Sequence, residues 1–430
     1  MTDSKKRKIA YFMLIFSSIF LYVTLTGAKQ LYTAEKTTLY ATGIFGNLTD
    51  LASTMEYYFY TYAAMQIFLV FFVKKINIKW FLTATLGISA VLIALVPLTT
   101  GIAQHYVLFS VNGVLQAGIW GCMLKVLSKH LPSRLLPTAN QIMSAGPAIA
   151  GALSYVVAAA FGEDWKTPFL VMGIVVFLSV VLYCVSVSAM ERFPREIETH
   201  HVVRSDGTEA EVDDDDDNDF IHLVTKRRVI VFYAVSIILG FLLTSIYFAM
   251  SNNLDVYLKE IGGFSNGKAK LLTVFAPIFA VLGPFACVWL CEKQKNFIAV
   301  CALFYGAAML LSLINLFTFE KSPAVSLVLL VLFIVLVNGG RSVTLSIVSL
   351  RMRSKIDTGV YSTAVNAACS LASGIAPKVI TRVLDNGEYS TVKSWQVSFM
   401  ILFIATLAAV ALLLLAMLAV RLANKNKNFD

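Results

Sequence analysis

Charged residues are scarce in this chain: they make up 14% of its 430 residues, whereas 58% are hydrophobic. A soluble domain carries roughly 25% charged residues, so this scarcity excludes an ordinary water-soluble globular protein. Apolar stretches of about 20 residues, the length that crosses roughly 30 Å of hydrocarbon, recur along the whole chain. Twelve are found, at approximately 9–33, 50–73, 80–99, 102–128, 138–162, 166–189, 228–251, 268–291, 297–318, 324–350, 357–381 and 394–420. The sequence therefore predicts an all-α membrane protein with twelve transmembrane helices.

Signatures of catalysis are also missing. The chain has no GxSxG, HExxH or GxxxxGK[ST] motif, which argues against the common hydrolases and against an ATP-driven pump. Its six cysteines form no CxxC pair, and we interpret them as small buried hydrophobes rather than metal ligands. We expect no enzyme activity, no cofactor and no metal site, so a gradient must supply the energy for any transport.

Basic residues are distributed unevenly between the predicted loops. If both termini are cytoplasmic, 24 of the 35 lysines and arginines fall in inner segments and nine in outer ones. This bias satisfies the positive-inside rule and predicts an integral protein of the plasma (inner) membrane with both termini cytoplasmic. We expect it to be a monomer. The net charge of +9 follows from this topology, so we infer that the lipid bilayer, and no nucleic acid, is the large partner.

One long polar segment, residues 190–227, interrupts the apolar pattern midway along the chain. It contains the acidic run EAEVDDDDDND, which cannot bury enough apolar area to fold. The composition predicts a disordered cytoplasmic linker between two six-helix bundles, at 1–189 and 228–430.

The two halves carry matching motifs. VNGVLQAGIW begins at Val111 and VNGGRSVTLS at Val337, while a Trp-x-x-x-Phe pattern opens the sixth and twelfth spans at Trp165 and Trp395. The two offsets, 226 and 230 residues, are nearly equal. They predict parallel repeats related by an axis along the membrane normal.

With these repeats the chain resembles the major facilitator superfamily over essentially its whole length. Within it, the chain is similar to the organophosphate:phosphate antiporter group, which carries sugar phosphates and glycerol phosphate. The fourth-helix pattern of that group is matched by Asn112, Gly113, Gln116 and Trp120, and its Tyr-Leu-Lys-Glu loop pattern by residues 257–260. The resemblance implies a secondary transporter whose two bundles rock about a central site.

The phosphate-binding pattern of that group is incomplete here. Lys29 matches one basic residue of a pair on helix one, and Ala28 stands at the other position. Tyr247 stands where the group has an arginine on helix seven, and Met143 where it has a histidine on helix five. The resemblance therefore does not define the substrate.

Arg341 is the strongest candidate for a binding residue. It lies ten residues before Arg351, about 15 Å along a helix, which places it near the bilayer centre. An arginine there costs at least about 2.5 kcal/mol, so it must face a wet cavity or a partner. Either it binds an anion bidentately, or it is a structural residue paired with Glu56 or with backbone carbonyls.

Lys29 and Glu56 have two interpretations each. Lys29 snorkels to water if the first helix ends near Thr33, and it faces the cavity if the helix continues to about Tyr40. Glu56 either pairs with Lys29 or, as a desolvated carboxyl, couples transport to protons.

Other polar residues and prolines in the spans complete the predicted site. The resemblance implies that the helices of Tyr62 and Tyr247 line the cavity, so these tyrosines are candidate substrate contacts, together with Gln116, Asn112 and Asn140. Hydrogen bonding between helices explains the amide side chains equally well. Pro147 and Pro377 lie among small residues on helices five and eleven, and we expect them to bend these helices. The resemblance implies that these two helices form the interface between the bundles, so both prolines are candidate gating residues.

The leading hypothesis is a secondary transporter that moves a small organic anion, phosphorylated or carboxylate, by alternating access. It acts as an antiporter that exchanges a counter-anion or as a proton symporter. One alternative is an exporter of drug-like or lipid-like compounds. Another is a transporter-like sensor that binds a ligand and signals through the linker.

Overall fold

The protein is described here from a computed structural model, which defines residues 3–72, 75–132, 135–193, 200–203, 209–212, 227–294, 297–351 and 358–426. Seventeen helices build its spans within these ranges. The first half contains α1 (Asp3–Ala34), α2 (Lys36–Ala41), α3 (Leu48–Phe72), α4 (Ile78–Leu95), α5 (Ile102–Gln116), α6 (Ile119–His130), α7 (Leu136–Phe161) and α8 (Lys166–Met190). The second half contains α9 (Arg227–Ser251), α10 (Leu254–Glu260), α11 (Asn266–Thr273), α12 (Phe275–Ala280), α13 (Leu282–Gln294), α14 (Phe297–Thr318), α15 (Pro323–Arg351), α16 (Thr358–Leu384) and α17 (Thr391–Asn426).

These helices confirm the predicted all-α membrane fold. Each of the twelve predicted apolar stretches coincides with one helix or with two or three consecutive ones. Among the described residues, ten helical spans are long and apolar enough to cross a membrane, and α7 adds the shorter apolar stretch Ala145–Phe161. Large apolar side chains such as Phe177, Ile404 and Leu415 are exposed on the outer faces of the spans, where lipid replaces water as the solvent.

The segment between the halves contains two short strands, β1 (His200–Val203) and β2 (Glu209–Val212). They pair antiparallel, with His200 opposite Val212, so the prediction of disorder is wrong for these residues. The aspartate run at 213–217 lies outside the described residues. The domain boundaries stay a prediction.

Turn-forming and capping residues set where several helices begin and end. The Asn77 side chain accepts a hydrogen bond from the Trp80 amide and starts α4. Gly162 ends α7 with a φ of 65°, a conformation that favours glycine, and the Asp164 carboxylate accepts bonds from the first amides of α8. The span of α11, α12 and α13 breaks near Val274 and Val281, three residues before Pro277 and three before Pro284, because a proline cannot donate a hydrogen bond to the carbonyl four residues earlier.

Corresponding helices make the same contacts in the two halves. In the first half, α1 packs on α7, α3 on α5 and α4 on α8; in the second half, α9 packs on α16, α13 on α15 and α14 on α17. The VNG motifs fall at equivalent contacts. A methyl group at Gly113 would overlap the Tyr58 carbonyl of α3, and one at Gly339 would overlap the Gly283 carbonyl of α13. These glycines let paired helices approach closely, which agrees with the predicted repeat.

Contacts between the two bundles concentrate at one end of the molecule. Helix α3 packs on α16, and α7 packs on α11 and α12. Hydrogen bonds and ion pairs between described residues of different bundles all involve residues 35–56, 162, 252–270 and 378–385. We call this the joined end and the opposite end, where α1 begins and α17 finishes, the unjoined end.

Candidate functional site

Arg341 lies between the bundles on α15, away from the joined end. One guanidinium nitrogen, Nη2, donates a hydrogen bond to the Asn338 side-chain oxygen (3.0 Å). Asn338 is itself fixed, because its amide nitrogen donates to the Ala280 carbonyl (2.9 Å). The Arg341 Nε is buried and has no hydrogen-bond partner. Within the described residues Arg341 forms no ion pair, and Glu56 is occupied elsewhere, so the interpretation of Arg341 as a partner of Glu56 is wrong.

Aromatic rings take the place of a carboxylate around Arg341. Its guanidinium carbon lies 4.8 Å from the Tyr247 ring centroid and 5.7 Å from that of Phe248. Such cation–π contacts contribute about 0.5–2 kcal/mol each. They stabilise the cation without neutralising it, so the positive charge stays available to an anion.

Lys29 has a similar environment in the other bundle. Helix α2 continues the first span to Ala41, so Lys29 is not at a helix end. Its ammonium lies 5.4 Å from the Tyr58 ring centroid and 5.2 Å from that of Phe59. Tyr58 is held in place by a bond from its hydroxyl to Gln116 (2.7 Å). In the described part of the chain Lys29 has no ion-pair partner.

The two cations share one aromatic contact between the bundles. The rings of Phe59 and Phe248 lie 6.4 Å apart, and each of them also contacts one of the two cations. Lys29 from the first bundle and Arg341 from the second therefore flank the same pair of rings. We call Lys29, Phe59, Phe248 and Arg341 the central site.

Tyr22 belongs beside this site, although the sequence analysis did not select it. It interacts electrostatically with Arg341 and with Tyr62, and its ring packs on Trp120 at 5.3 Å. Tyr22 precedes Lys29 by seven residues, or two helical turns, so helical spacing alone placed both on one face. Tyr62 stacks on Tyr58 at 5.7 Å.

The predicted amide contacts are engaged within the first bundle. Gln116 accepts from Tyr58 and donates to the Ser89 hydroxyl (2.8 Å), which in turn donates to Asn112 (2.6 Å). Both amides are buried, as the interpretation of helix-to-helix bonding expects. The side chain of Asn140 lies outside the described part of the structure.

Glu56 pairs across the bundles with Lys378, so the first of its two interpretations, pairing with Lys29, is wrong. The Lys378 ammonium on α16 donates to one Glu56 oxygen, and the Tyr60 hydroxyl donates to the other (2.5 Å). Sequence spacing alone offered Lys29 because the two residues lie at similar depth; the packing of α3 on α16 brings Lys378 closer. A coupling role for Glu56 stays a prediction.

The joined end also contains a fully buried ion pair, which sequence reasoning missed. Lys270 on α11 donates to Glu35 (2.6 Å), to the Thr38 hydroxyl (2.7 Å) and to the Gly162 carbonyl (3.3 Å). Both charged side chains are 0% exposed. Lys36 donates to the Asn252 carbonyl (2.8 Å) and to the Asn253 side chain. These bonds connect the first bundle to the second.

The two predicted gating prolines lie inside α7 and α16. Their carbonyls accept hydrogen bonds from side chains: that of Pro147 from Gln30 (3.3 Å) and that of Pro377 from Asn253 (3.4 Å). Gating by these prolines stays a prediction. Among the described residues there is no cluster of three or more histidine, cysteine or acidic residues that could hold a metal.

Comparison with known proteins agrees with this architecture. A bacterial homolog of the human lysosomal transporter Spinster, in an inward-facing and unoccupied conformation, is 13% identical with a TM-score of 0.73, covering 96% of this chain and 98% of its own. The nucleoside transporter NupG is 14% identical with a TM-score of 0.63, covering 94% and 98%. At this identity the likeness shows the fold alone. No curated protein sequence matches the chain.

The family assignment rests on the sequence itself. The family model described as Major Facilitator Superfamily matches residues 9–377, which is most of the chain. The structural neighbours are transporters as well, and an enzyme is not indicated. The chain is an integral membrane transporter that belongs to the Major Facilitator Superfamily.

Proposed function

We propose that the protein moves a small organic anion across the membrane by alternating access. The observation that carries this proposal is that two cations, Lys29 and Arg341, approach one contact between the bundles without a carboxylate partner in the described part of the chain. A carrier of cations or of neutral compounds gains nothing from two unneutralised charges there, because each is costly at mid-membrane depth. An anion would offset that cost.

The placement of one cation on each bundle supports coupling between binding and movement. An anion that contacts Lys29 and Arg341 together connects both bundles through charge-assisted hydrogen bonds. Its binding then favours conformations in which the bundles are close around it, and a ligand shifts such an equilibrium only by differential contacts of this kind. The free Nε of Arg341 adds a donor for bidentate recognition of a phosphate or a carboxylate.

The joined and unjoined ends indicate from which side of the membrane substrate would enter. With both termini cytoplasmic, as the positive-inside rule predicts, the joined end would face outward, and substrate would reach the central site from the cytoplasmic side. The substrate is a phosphorylated or carboxylate metabolite, in line with the resemblance to the organophosphate:phosphate antiporter group. A counter-anion or a proton completes the cycle.

A thermal-shift screen of phosphorylated metabolites, carboxylates, nucleosides and sugars identifies the ligand class. We expect anions to stabilise the wild-type protein. Arg341→Ala should lower the affinity for the best anion by about 100-fold, or about 2.7 kcal/mol, the size of a lost charge-assisted bidentate contact. Uptake of that anion into proteoliposomes should fall in parallel.

The control is Arg382→Ala, which removes an exposed arginine at the joined end and should leave binding unchanged. Gel filtration verifies that both variants fold. Stabilisation by anions that is equal in the wild type and in Arg341→Ala would refute the proposed site. Stabilisation by nucleosides or sugars alone would refute the anion class.

A further inference from the structure

Asp255 is a buried carboxyl that the central site does not use. It lies in the first turn of α10, at the joined end, and is 0% exposed. Neither of its oxygens has a side-chain hydrogen-bond partner among the described residues; backbone amides of its own turn lie near them. An ionised carboxylate in such a place costs several kcal/mol, so this environment requires an explanation.

The neighbouring lysines cannot donate to Asp255 as they stand. Lys270 has three N–H groups, and all three are used by Glu35, Thr38 and Gly162. Lys36 directs two of its three toward Asn252 and Asn253. Both lysines interact with Asp255 at longer range, but neither forms an ion pair with it. Asp255 is therefore close to positive charge that is already committed elsewhere.

In this part of the joined end, acidic side chains outnumber Lys36 and Lys270. Glu35, at the junction of α1 and α2, pairs with Lys270. Glu260 and Asp385 interact with Lys36. Glu260 accepts a bond from Trp395 (2.8 Å), and Asp385 accepts from the Leu48 and Thr49 amides. Each of these three acids thus has a donor, whereas Asp255 has none from a side chain. Among them Asp255 is the acid best suited to carry a proton.

One further group faces Asp255, from α7. The Tyr155 hydroxyl is buried without a hydrogen-bond partner and interacts electrostatically with Asp255 and with Tyr247. Tyr247 contacts Arg341. Asp255 and Tyr155 are thus two buried polar side chains without hydrogen-bond partners that interact with each other.

We propose that Asp255 is the proton-binding residue of the transport cycle, protonated while the joined end is closed and ionised once that end opens to water. Closure then takes up one proton from the side that the joined end faces, onto an Asp255 carboxylate oxygen. Opening of the joined end returns that proton from the carboxyl to water on the same side. The inference rests on the proposed function only in requiring that the two ends open in turn; it does not depend on which anion is carried.

Proton linkage determines in which direction pH changes the closed population. The closed form binds one more proton than the open form, so lowering the pH favours closure. The ratio of closed to open molecules changes by up to tenfold per pH unit for one proton. Such a shift is measurable without any substrate.

The test measures the distance across the joined end by spin-label spectroscopy in liposomes. Labels are placed at Ala41→Cys and Thr391→Cys, two exposed positions on different bundles, after replacement of the native cysteines. Spectra are recorded between about pH 5.5 and 8.5. We expect the closed population to rise as the pH falls in the wild type, and to become independent of pH in Asp255→Asn.

Three variants sharpen the result. Asp255→Glu keeps a titratable carboxyl and should keep the dependence, as should Glu320→Gln, which removes an exposed carboxylate at the same end. Arg341→Ala should also keep it, so failure of the anion site and failure of the proton site are distinguishable. The proposal is overturned by a wild-type distribution that does not change with pH, which requires no variant. It is equally overturned if Asp255→Asn retains the slope, including the case in which Glu56→Gln abolishes it instead.

Discussion

Basic side chains between the two bundles fall into two groups that differ in what they contact. At the joined end, Lys36, Lys270 and Lys378 each donate to oxygen atoms of the opposite bundle. At the central site, Lys29 and Arg341 lie against aromatic rings and have no carboxylate partner in the described residues. Basic residues thus have two different roles: the oxygen-bound lysines hold the bundles together, and the two ring-bound cations remain available to a ligand.

Among substitutions of these basic residues, we expect the largest effect at Lys270. Lys270→Met leaves Glu35 buried without its partner, and the loss of one member of a buried ion pair costs about 3–5 kcal/mol. Because the pair connects the bundles, this loss of free energy destabilises the conformation in which the joined end is closed. The spin-label distance across that end should increase for most molecules.

The double variant Glu35→Leu/Lys270→Met is the matched control for Lys270. It removes both charges, so much of the closed population should return. An unchanged distance in the single variant would show that the pair does not hold the bundles together.

A smaller effect is expected at Lys29, and it concerns affinity rather than conformation. Lys29→Met removes one of the two central charges but leaves Arg341, so the anion should bind about tenfold more weakly, or about 1.4 kcal/mol. Binding is measured by titration of the anion found in the thermal-shift screen. Lys29→Arg, which keeps the charge, should retain most of the affinity. Equal affinity in Lys29→Met and wild type would limit the site to Arg341.

The smallest effect is expected at Lys378. Its pair with Glu56 is 18% and 10% exposed, so water screens the charge that is left alone, and we expect Lys378→Met to cost the closed end about 1 kcal/mol or less. Anion affinity should not change. A loss of affinity as large as that of Lys29→Met would contradict the division into two groups.

The sequence predicted the central cations because each interrupts a long apolar run. Arg341 and Lys29 are conspicuous for that reason, and the repeated VNG motif placed Asn338, the residue that positions Arg341, in an equivalent contact of the second half. The twelve spans followed from hydropathy in the same way. These features depend on residues close together in the chain.

The joined end could not be predicted from the sequence because its burial comes from the other bundle. Glu35 and Lys270 stand at the ends of their spans, where an isolated helix would expose them to water. They are 0% exposed only because α2 and α11 meet. Asp255 stands just before the Tyr-Leu-Lys-Glu pattern at 257–260, and nothing local in the sequence indicates its burial. Pairings between residues more than 200 positions apart are set by packing that a single sequence does not display.

Access of water to position 341 tests the central claim most directly. In an Arg341→Cys variant with Cys184 replaced by serine, a water-soluble, negatively charged thiol reagent is applied to the protein in liposomes opened on both sides. We predict rapid modification of Cys at position 341 and protection by the anion identified in the screen once its concentration is raised about 100-fold to offset the lost guanidinium contact, while native Cys301, which is 2% exposed in the neighbouring helix, stays unmodified. No reaction at position 341, or a reaction that the anion does not slow, would contradict an anion site between the bundles.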